Sequence, residues 1–564
     1  STRKESSAAS DVYKRQVVDI VNKTFFFIAL VLLLSVVCIT TPELPAEENV
    51  GQWVWLGKAL LLSGSCILIA VLLQLMVKDS RKHVLWFSGF SVYVSWGILF
   101  CGAVEAIWGL RQLYGFAASG HSRYALTGSF FNPGPYAGYL AMVLPLCLHL
   151  YLCTYKEKTV IRNLKRGIAA IIGILILCVL PATMSRSAWI AAVMGCGWVS
   201  YMHRDRRRWR ILWKRYRKRY VLWSMGVLFI VALGGGGAFI LKLDSALGRL
   251  FMWKITCQAI MNHPWGSDKG FVSAYGEAQE NYFAQGNYAE WEERVAGSPE
   301  YAFNEYLSLA LMEGIIVCVV VLVIIGICLW MGVKRGRYGI CGAILSLLVF
   351  SFSSYPMHFP AFVVAGLGLL LACGVGDIIG KPLVLCICLI VWAGGCMEKW
   401  QQTENACQKW TYARMFYHSG AYKAANEAYG KLYSILKDRG AFLFEYGHSL
   451  HKSFLYSESN KYLKEACKHS VDPMILNVMG KNYQEQHCYE QAENFFYRAV
   501  HRLPSRIYPY YLLAKLYAEP DFYKPDKLKE VADSVLTKEP KVHSTAIDEM
   551  RSEVREILEK INVK

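Results

Sequence analysis

Eleven apolar stretches between Phe25 and Met397, separated by short loops whose positive charge falls on alternate sides, constrain this chain more than any other feature. They run roughly 25–40, 54–77, 84–110, 136–155, 168–184, 187–202, 221–241, 306–333, 338–354, 361–379 and 382–397. Most are near the ~20 residues a spanning helix needs. The expected fold class is therefore all-α, a polytopic membrane bundle of about eleven helices. Loops after the second, fourth, sixth, eighth and tenth stretches carry about 22 Lys and Arg, against about 8 in the longer intervening loops. Basic loops stay cytoplasmic, which puts the acidic 41–50 loop, the 111–135 loop, the long 242–302 loop and everything after Met397 outside. The net charge of +18 is thus mostly a topology signal and not a nucleic-acid signal. Most of the 18 cysteines lie in apolar stretches, where a thiol packs as a small hydrophobe.

The densest basic cluster, Arg204 to Arg219, interleaves Trp209, Trp213, Tyr216 and Tyr220 at helical spacing. One aromatic and one basic face suit a helix on an anionic inner leaflet, and a solvated topogenic loop accounts for the cluster equally well. No RNA-binding element accompanies it. At the start of the chain, residues 1–16 are polar and unpatterned, and Asp11–Gln16 resembles the translation of a transposon end used in library preparation. That segment is expected to be a non-native or disordered leader, with the membrane domain occupying 17–398.

After Met397 the composition changes to mixed charge, Tyr and Ala with helical periodicity, which reads as a soluble helical domain over 399–564. Between Pro473 and Pro504, residues Leu476, Met479, Gly480, Tyr483, Ala492, Phe496, Ala499 and Pro504 match the spacing of a tetratricopeptide repeat. Small residues fall where paired helices touch and aromatics where they interlock. Less regular versions on either side bring the total to about four helical pairs, an α-solenoid long enough to bury a continuous core. Such a surface presents a face to a peptide or protein partner; a spacer or stabilising cap is the plainer alternative.

Charges inside a bilayer are costly and tend to mark function. Lys58, Glu105 and Glu313 stand well inside apolar stretches, all toward the outer surface, and the tight turn between stretches five and six places Arg186 at the same level. Lys58 has a plain alternative, snorkelling to the interface. In the long outer loop, Leu250, Trp253, Cys257, Ile260 and Met261 form an apolar stripe at helical spacing, with Arg249 and Thr256 off it. That helix should stop at His263-Pro264 and lie along the membrane surface. Ser298, Pro299 and Glu300 read as an N-cap, a first-turn proline and a dipole-matched acid, so the eighth helix is expected to begin there, with Asn304 and Glu305 in its first turns.

Four motifs then resemble the O-antigen ligase and polymerase family over roughly residues 20–380. They are Phe131-Asn132-Pro133 with Tyr136-Ala137-Gly138-Tyr139-Leu140 and Pro145; the Met184-Ser185-Arg186-Ser187-Ala188-Trp189 turn; Gly248-Arg249 with Trp253; and Asn304-Glu305-Tyr306-Leu307 with Glu313-Gly314. The resemblance implies metal-independent, cofactor-free transfer of a glycan from undecaprenyl diphosphate to an acceptor hydroxyl at the periplasmic face of the bacterial inner membrane. The acceptor would be lipid A core in a ligase, another lipid-linked glycan in a polymerase, or a protein in an oligosaccharyltransferase. Arginine suits a lipid diphosphate through paired donors, which points to Arg186 and Arg249, with Arg123 a third candidate. Asn132, Tyr136, Trp253 and Asn304 are the accompanying substrate-binding candidates.

Ligases of this family place a histidine immediately before the asparagine of the eighth-span motif, and here that residue is Phe303. Phenylalanine cannot take a proton. The candidate replacements on the outer side are His263, His358, Glu305 and Glu313, with His121 less favoured. No GxxxxGK[ST] loop, HExxH or zinc-spaced CxxC pair occurs, and Gly234–Gly237 reads as close helix packing. Glu47-Glu48 as a metal pair is weaker than an acidic outer loop. A noncatalytic membrane scaffold for polysaccharide export is the competing function; a transporter fits less well, since carriers place substrate at the midplane.

Overall fold

The computed structural model describes residues 2–41, 44, 49–75, 89–121, 123–153, 159–204, 243–374 and 382–562. The seventh stretch with Gly234–Gly237, the basic cluster beyond Arg204, and Glu47-Glu48 lie outside them. The described residues contain helices and no strand. Among the described residues, six helices are long and apolar enough to cross a membrane: Gln16–Cys38, Val50–Ala70, Phe90–Leu113, Pro133–Leu152, Thr159–Thr183 and Ile315–Lys334. Tyr338–Ser351 and Pro360–Gly374 are shorter apolar helices. This is a multi-pass membrane protein. It divides into two compact units, Ser1–Arg217 with Val319–Asn405, and Lys218–Cys318 with Ala406–Lys564.

The first unit contains α1 (Thr2–Leu34), α2 (Val50–Leu75), α3 (Phe90–Leu113), α4 (Pro133–Leu152), α5 (Thr159–Val179) and α6 (Arg186–Met202). From Thr2 onward the backbone is helical, and residues 2–16 are part of α1. At the centre, α4 packs against α3, α5 and α6. Every one of its residues from Pro135 to Cys147 is buried, as a helix apolar on all sides requires. Later in the chain, α11 (Ile315–Lys334), α12 (Tyr338–Ser351) and α13 (Pro360–Gly374) follow, and α12 packs on both α4 and α6. A Cβ on Gly195 would lie 2.7 Å from the Gly342 carbonyl oxygen, the small-residue contact by which membrane helices approach closely.

The two ends of this bundle differ chemically. At one end Arg335 donates to the carbonyls of Cys373 and Gly374, Arg337 to that of Ala372, and Arg166 to that of Cys153. Loops after α1, α3 and α12 meet at the other end, where Thr41, Gly120, Phe131 and Phe359 line one cavity.

The second unit opens with α7 (Leu243–Asn262), α8 (Gly270–Ala284), α9 (Glu290–Val295) and α10 (Glu305–Glu313). As expected, α7 ends at Asn262, before His263-Pro264. It buries Phe251, Ile255, Thr256, Ala259 and Ile260, while Leu250, Cys257 and Met261 stay exposed. The expected cap at Ser298 is not used. Residues 297–303 are irregular, and α10 starts at Glu305 with Asn304 as its N-cap. Nor is the eighth stretch one helix: Gly314, at φ 94°, separates α10 from α11. Glu313 is therefore an exposed residue before the span and not a charge within it.

The long helix α14 (Pro382–His418) enters this unit at Ala406, and α15 (Tyr422–Leu436), α16 (Gly440–Lys452), α17 (Tyr456–His469), α18 (Pro473–Glu485) and α19 (Tyr489–Arg502) follow. Then come α20 (Ile507–Ala518), α21 (Pro525–Thr537) and α22 (Thr545–Asn562). From α15 on, each helix packs against the next. Gly480 admits the Phe496 ring, which would lie 2.4 Å from a Cβ placed there. These helices share a core with the outer-loop segment, since Phe251, Ile255 and Tyr275 cluster with Val471 and Leu503. Polar contacts extend it: Glu280 accepts from Arg498 Nε at 2.6 Å and Arg502 Nε at 3.2 Å, and Lys538 pairs with Glu293 at 2.5 Å.

Candidate functional site

In the membrane unit, the turn before α6 is built by its own polar side chains. Thr183 Oγ1 and Trp189 Nε1 both donate to the Leu180 carbonyl, at 2.7 and 3.0 Å. Met184 takes a left-handed conformation at φ 54°. That reversal leaves Ser185 at the N-cap and Arg186 as the first residue of α6. A half-buried guanidinium thus stands beside the orphan N–H groups of a helix start, two features that both favour an anion.

Asn132 and Tyr136 organise the neighbouring loop. Asn132 Oδ1 caps α4 by accepting from Gly134 N–H at 2.9 Å. Tyr136 is fully buried and donates its hydroxyl to the Glu105 carbonyl at 2.9 Å. Its side chain supports the fold here and does not face an open surface. Glu105 is also fully buried; one carboxylate oxygen accepts from Ser129 N–H at 3.1 Å. About two turns further along α3, Gln112 Oε1 accepts from Thr127 and Gly128 N–H at 2.9 and 2.7 Å, and its Nε2 donates to the Ala118 carbonyl at 2.9 Å. Arg123 is exposed on this loop, and its N–H donates to His121 Nδ1 at 2.9 Å. His358 is exposed on the 3-10 turn Pro356–His358 between α12 and α13.

In the second unit, Arg249 lies over the Phe303 ring, 5.6 Å from its centre, a cation–π arrangement. Phe303 is itself left-handed at φ 49°. Asn304, buried, accepts from Tyr306 and Leu307 N–H at 3.0 and 3.1 Å, and Glu305 opens α10 beside it. Trp253 is half-buried one turn after Arg249. At the far end of α10, the His263–Gly266 turn meets the Glu313–Ile315 break: Ile315 N–H donates to the Pro264 carbonyl at 3.1 Å and Ser267 N–H to that of Leu311 at 2.9 Å. Arg249 thus meets the segment just before α10, and the His263–Gly266 turn meets the backbone after its end, with ~12 Å of helix between the Glu305 and Glu313 backbone positions.

Three residues the sequence did not single out hold this segment. Lys254 Nζ donates to Glu292 and to Tyr282, each at 2.6 Å, and Tyr282 donates to the second Glu292 oxygen at 2.7 Å. Burial opposes the charges on Lys254 and Glu292, but their mutual hydrogen bonds outweigh it, raising the lysine pKa and lowering that of the carboxylate. The only sequence signal for the trio was its residue types. Gln112 was more legible, lying seven residues from Glu105 on one face of an apolar helix.

Among the described residues no group of three or more His, Cys, Asp or Glu is placed to hold a metal ion. Compared with known proteins, the family model Wzy_C, described as O-Antigen ligase, matches residues 171–322. That segment includes the Arg186 turn, Arg249 and the Asn304–Glu305 helix start. No curated protein matches the chain. The match supports glycan transfer in polysaccharide assembly as the broad functional class.

Proposed function

We propose that this protein transfers or polymerises a glycan carried on undecaprenyl diphosphate, at the periplasmic face of the bacterial inner membrane, during assembly of a cell-surface polysaccharide such as O-antigen. The observation that carries this is the O-antigen ligase match over residues 171–322, because it covers both arginine motifs. In the reaction, an acceptor hydroxyl oxygen bonds to the anomeric carbon while that carbon's bond to the diphosphate oxygen breaks. The hydroxyl proton passes to a base, and the lipid diphosphate leaves with the bonding electrons. Guanidinium groups stabilise that departing charge through paired hydrogen bonds. Arg186 and Arg249 are the proposed groups, and Arg123 is the third candidate.

For the base, Glu305 is favoured because it follows Phe303, whose ring Arg249 covers, by two residues; His263, Glu313 and His358 are the alternatives. The acceptor is lipid A core, a second lipid-linked glycan or a protein. The C-terminal helices act as a tetratricopeptide solenoid that recruits a protein partner or the acceptor, supported by the neighbour-on-neighbour packing of α15–α22.

A second reading, a noncatalytic scaffold for polysaccharide export, draws support from Phe303 occupying the position of the expected histidine. Comparing lipid-linked and finished glycan in cells with and without the gene separates them. Accumulated donor with missing polymer supports polymerisation, and intact polymer left on its carrier supports ligation. Unchanged surface glycan after alanine replacement of both Arg186 and Arg249 supports the scaffold.

A further inference from the structure

The loop-bearing end of the membrane unit contains a cavity of about 400 Å³, within the ~300–1,000 Å³ range of small-molecule sites. Its walls come from the chain after α1, the start of α2, the end of α3, the Ala118–Phe131 loop and Phe359. None of the described residues lining it is charged. The described lining residues therefore offer a diphosphate or a metal ion no counter-charge, and their neutral groups suit a different ligand from the one proposed for the arginines.

The polar groups on the wall are instead neutral, and one is unused. Gln52 is 7% exposed; its Nε2 donates to the Ile39 carbonyl at 3.2 Å, and its Oε1 is buried with no hydrogen-bond partner. A buried acceptor left unpaired costs about 1–3 kcal/mol, which a ligand hydroxyl would recover once the amide turns its covered Oε1 toward the cavity. Asn49, Thr40 and Ser119 add further neutral donors and acceptors, while Trp108 and Phe131 add aromatic side chains to the wall. Flat aromatic surface combined with uncharged hydrogen-bonding groups is the complement of a sugar ring, whose C–H faces are apolar and whose rim is hydroxylated.

The scaffold behind the cavity is rigid. Gln112, which also lines the cavity, bonds to four loop backbone groups, and Gly128, at φ 58°, allows the loop to pass where a Cβ would strike the Tyr136 ring at 2.3 Å. The loop is pre-shaped by groups that do not need the ligand.

We propose that this cavity is a subsite for a neutral sugar ring, gripped between the amide of Gln52 and the indole of Trp108; as the subsite for one residue of the transferred glycan, it rests on the glycan-transfer reading above. The full chain in detergent micelles would be titrated with glucose, N-acetylglucosamine and rhamnose, using saturation-transfer NMR, with inorganic pyrophosphate as competitor. At least one sugar is expected to bind, with affinity reduced about tenfold in Trp108→Ala, the scale of one lost aromatic stack. Trp108→Phe should restore much of it, Gln52→Leu should weaken it, and pyrophosphate should leave it unchanged. Thermal melting of each variant shows whether it is folded. Absence of sugar binding, equal binding by folded Trp108→Ala, or displacement by pyrophosphate overturns the subsite. Because the assay requires no carrier lipid and no turnover, a chain that transfers glycan in cells but binds no sugar loses only the subsite. Sugar binding through Gln52 and Trp108 in a chain whose deletion leaves surface glycan unchanged upholds the sugar pocket and overturns the transfer reading.

Discussion

Replacing Glu280 with alanine should destabilise the second unit by stranding a buried cation. The carboxylate receives Arg498 Nε at 2.6 Å and Arg502 Nε at 3.2 Å. The two arginines respond differently to its removal. Arg502 has a side chain only 6% exposed, so its cation would be left buried and unpaired, a loss of about 3–5 kcal/mol. Arg498, 38% exposed, can turn to water and adds little. We take about 3 kcal/mol for the pair, because Glu280 itself retains some solvent contact, at 16% exposed. For a unit of this size that is a fall in Tm of about 6–12 °C. Thermal unfolding of the purified full chain, followed by intrinsic fluorescence, reads it directly. The double variant Glu280→Ala with Arg502→Met removes both buried charges and should recover most of the loss. A shift below about 2 °C for Glu280→Ala, or losses that simply add in the double variant, would refute the argument that a stranded cation dominates.

Other consequences can be measured separately. Arg186→Ala should abolish surface-glycan formation with little change in Tm, and Arg186→Lys should recover only part of it because lysine lacks the paired-donor geometry; full activity in Arg186→Ala contradicts the role given to that side chain. Gly128→Ala should cost about 3 kcal/mol or more, since alanine is strained at φ 58° and its Cβ would meet the Tyr136 ring and Glu105 Oε2; an unaltered melting curve would show that the loop adapts. For His448, burial first, then the nearby charges of His451, Lys452 and Lys481, push the pKa from 6.5 to about 4. Between those values the unfolded chain takes up the proton and the folded chain does not, so stability should fall as pH drops from about 6.5 to about 4. His448→Gln should flatten the Tm profile across that window, and an unchanged slope would locate the titrating group elsewhere.

The membrane helices were legible because their signal is local: runs such as 136–155 and 168–184 need only length and hydropathy, and the structure returns them as Pro133–Leu152 and Thr159–Thr183. The chemical difference between the bundle's ends was legible for the same reason, in the charge of alternate loops. Breaks within apolar runs were not. Residues 306–333 read as one stretch, yet Gly314 divides it, because averaging hydropathy hides a single residue whose φ of 94° no helix accepts. Ser298 and Asn304 both offer cap chemistry, and the choice went to Asn304, whose Oδ1 reaches two N–H groups. The packing of α8 on α19 joins residues more than two hundred positions apart, beyond any local pattern. For candidate site residues, attention to formal charge singled out Arg186, Arg249 and Glu105. It passed over Gln52 and Gln112, whose uncharged amides shape the cavity and its loop.

Reconstitution tests the central claim most directly. The purified chain is placed in liposomes with a glycan labelled on undecaprenyl diphosphate, an acceptor is added, and the fate of the label is followed. The account predicts release of undecaprenyl diphosphate together with label on the acceptor or in longer glycan, lost in Arg186→Ala and in Arg249→Ala. Label that stays on its original carrier with the unaltered, folded chain and every acceptor class would contradict it.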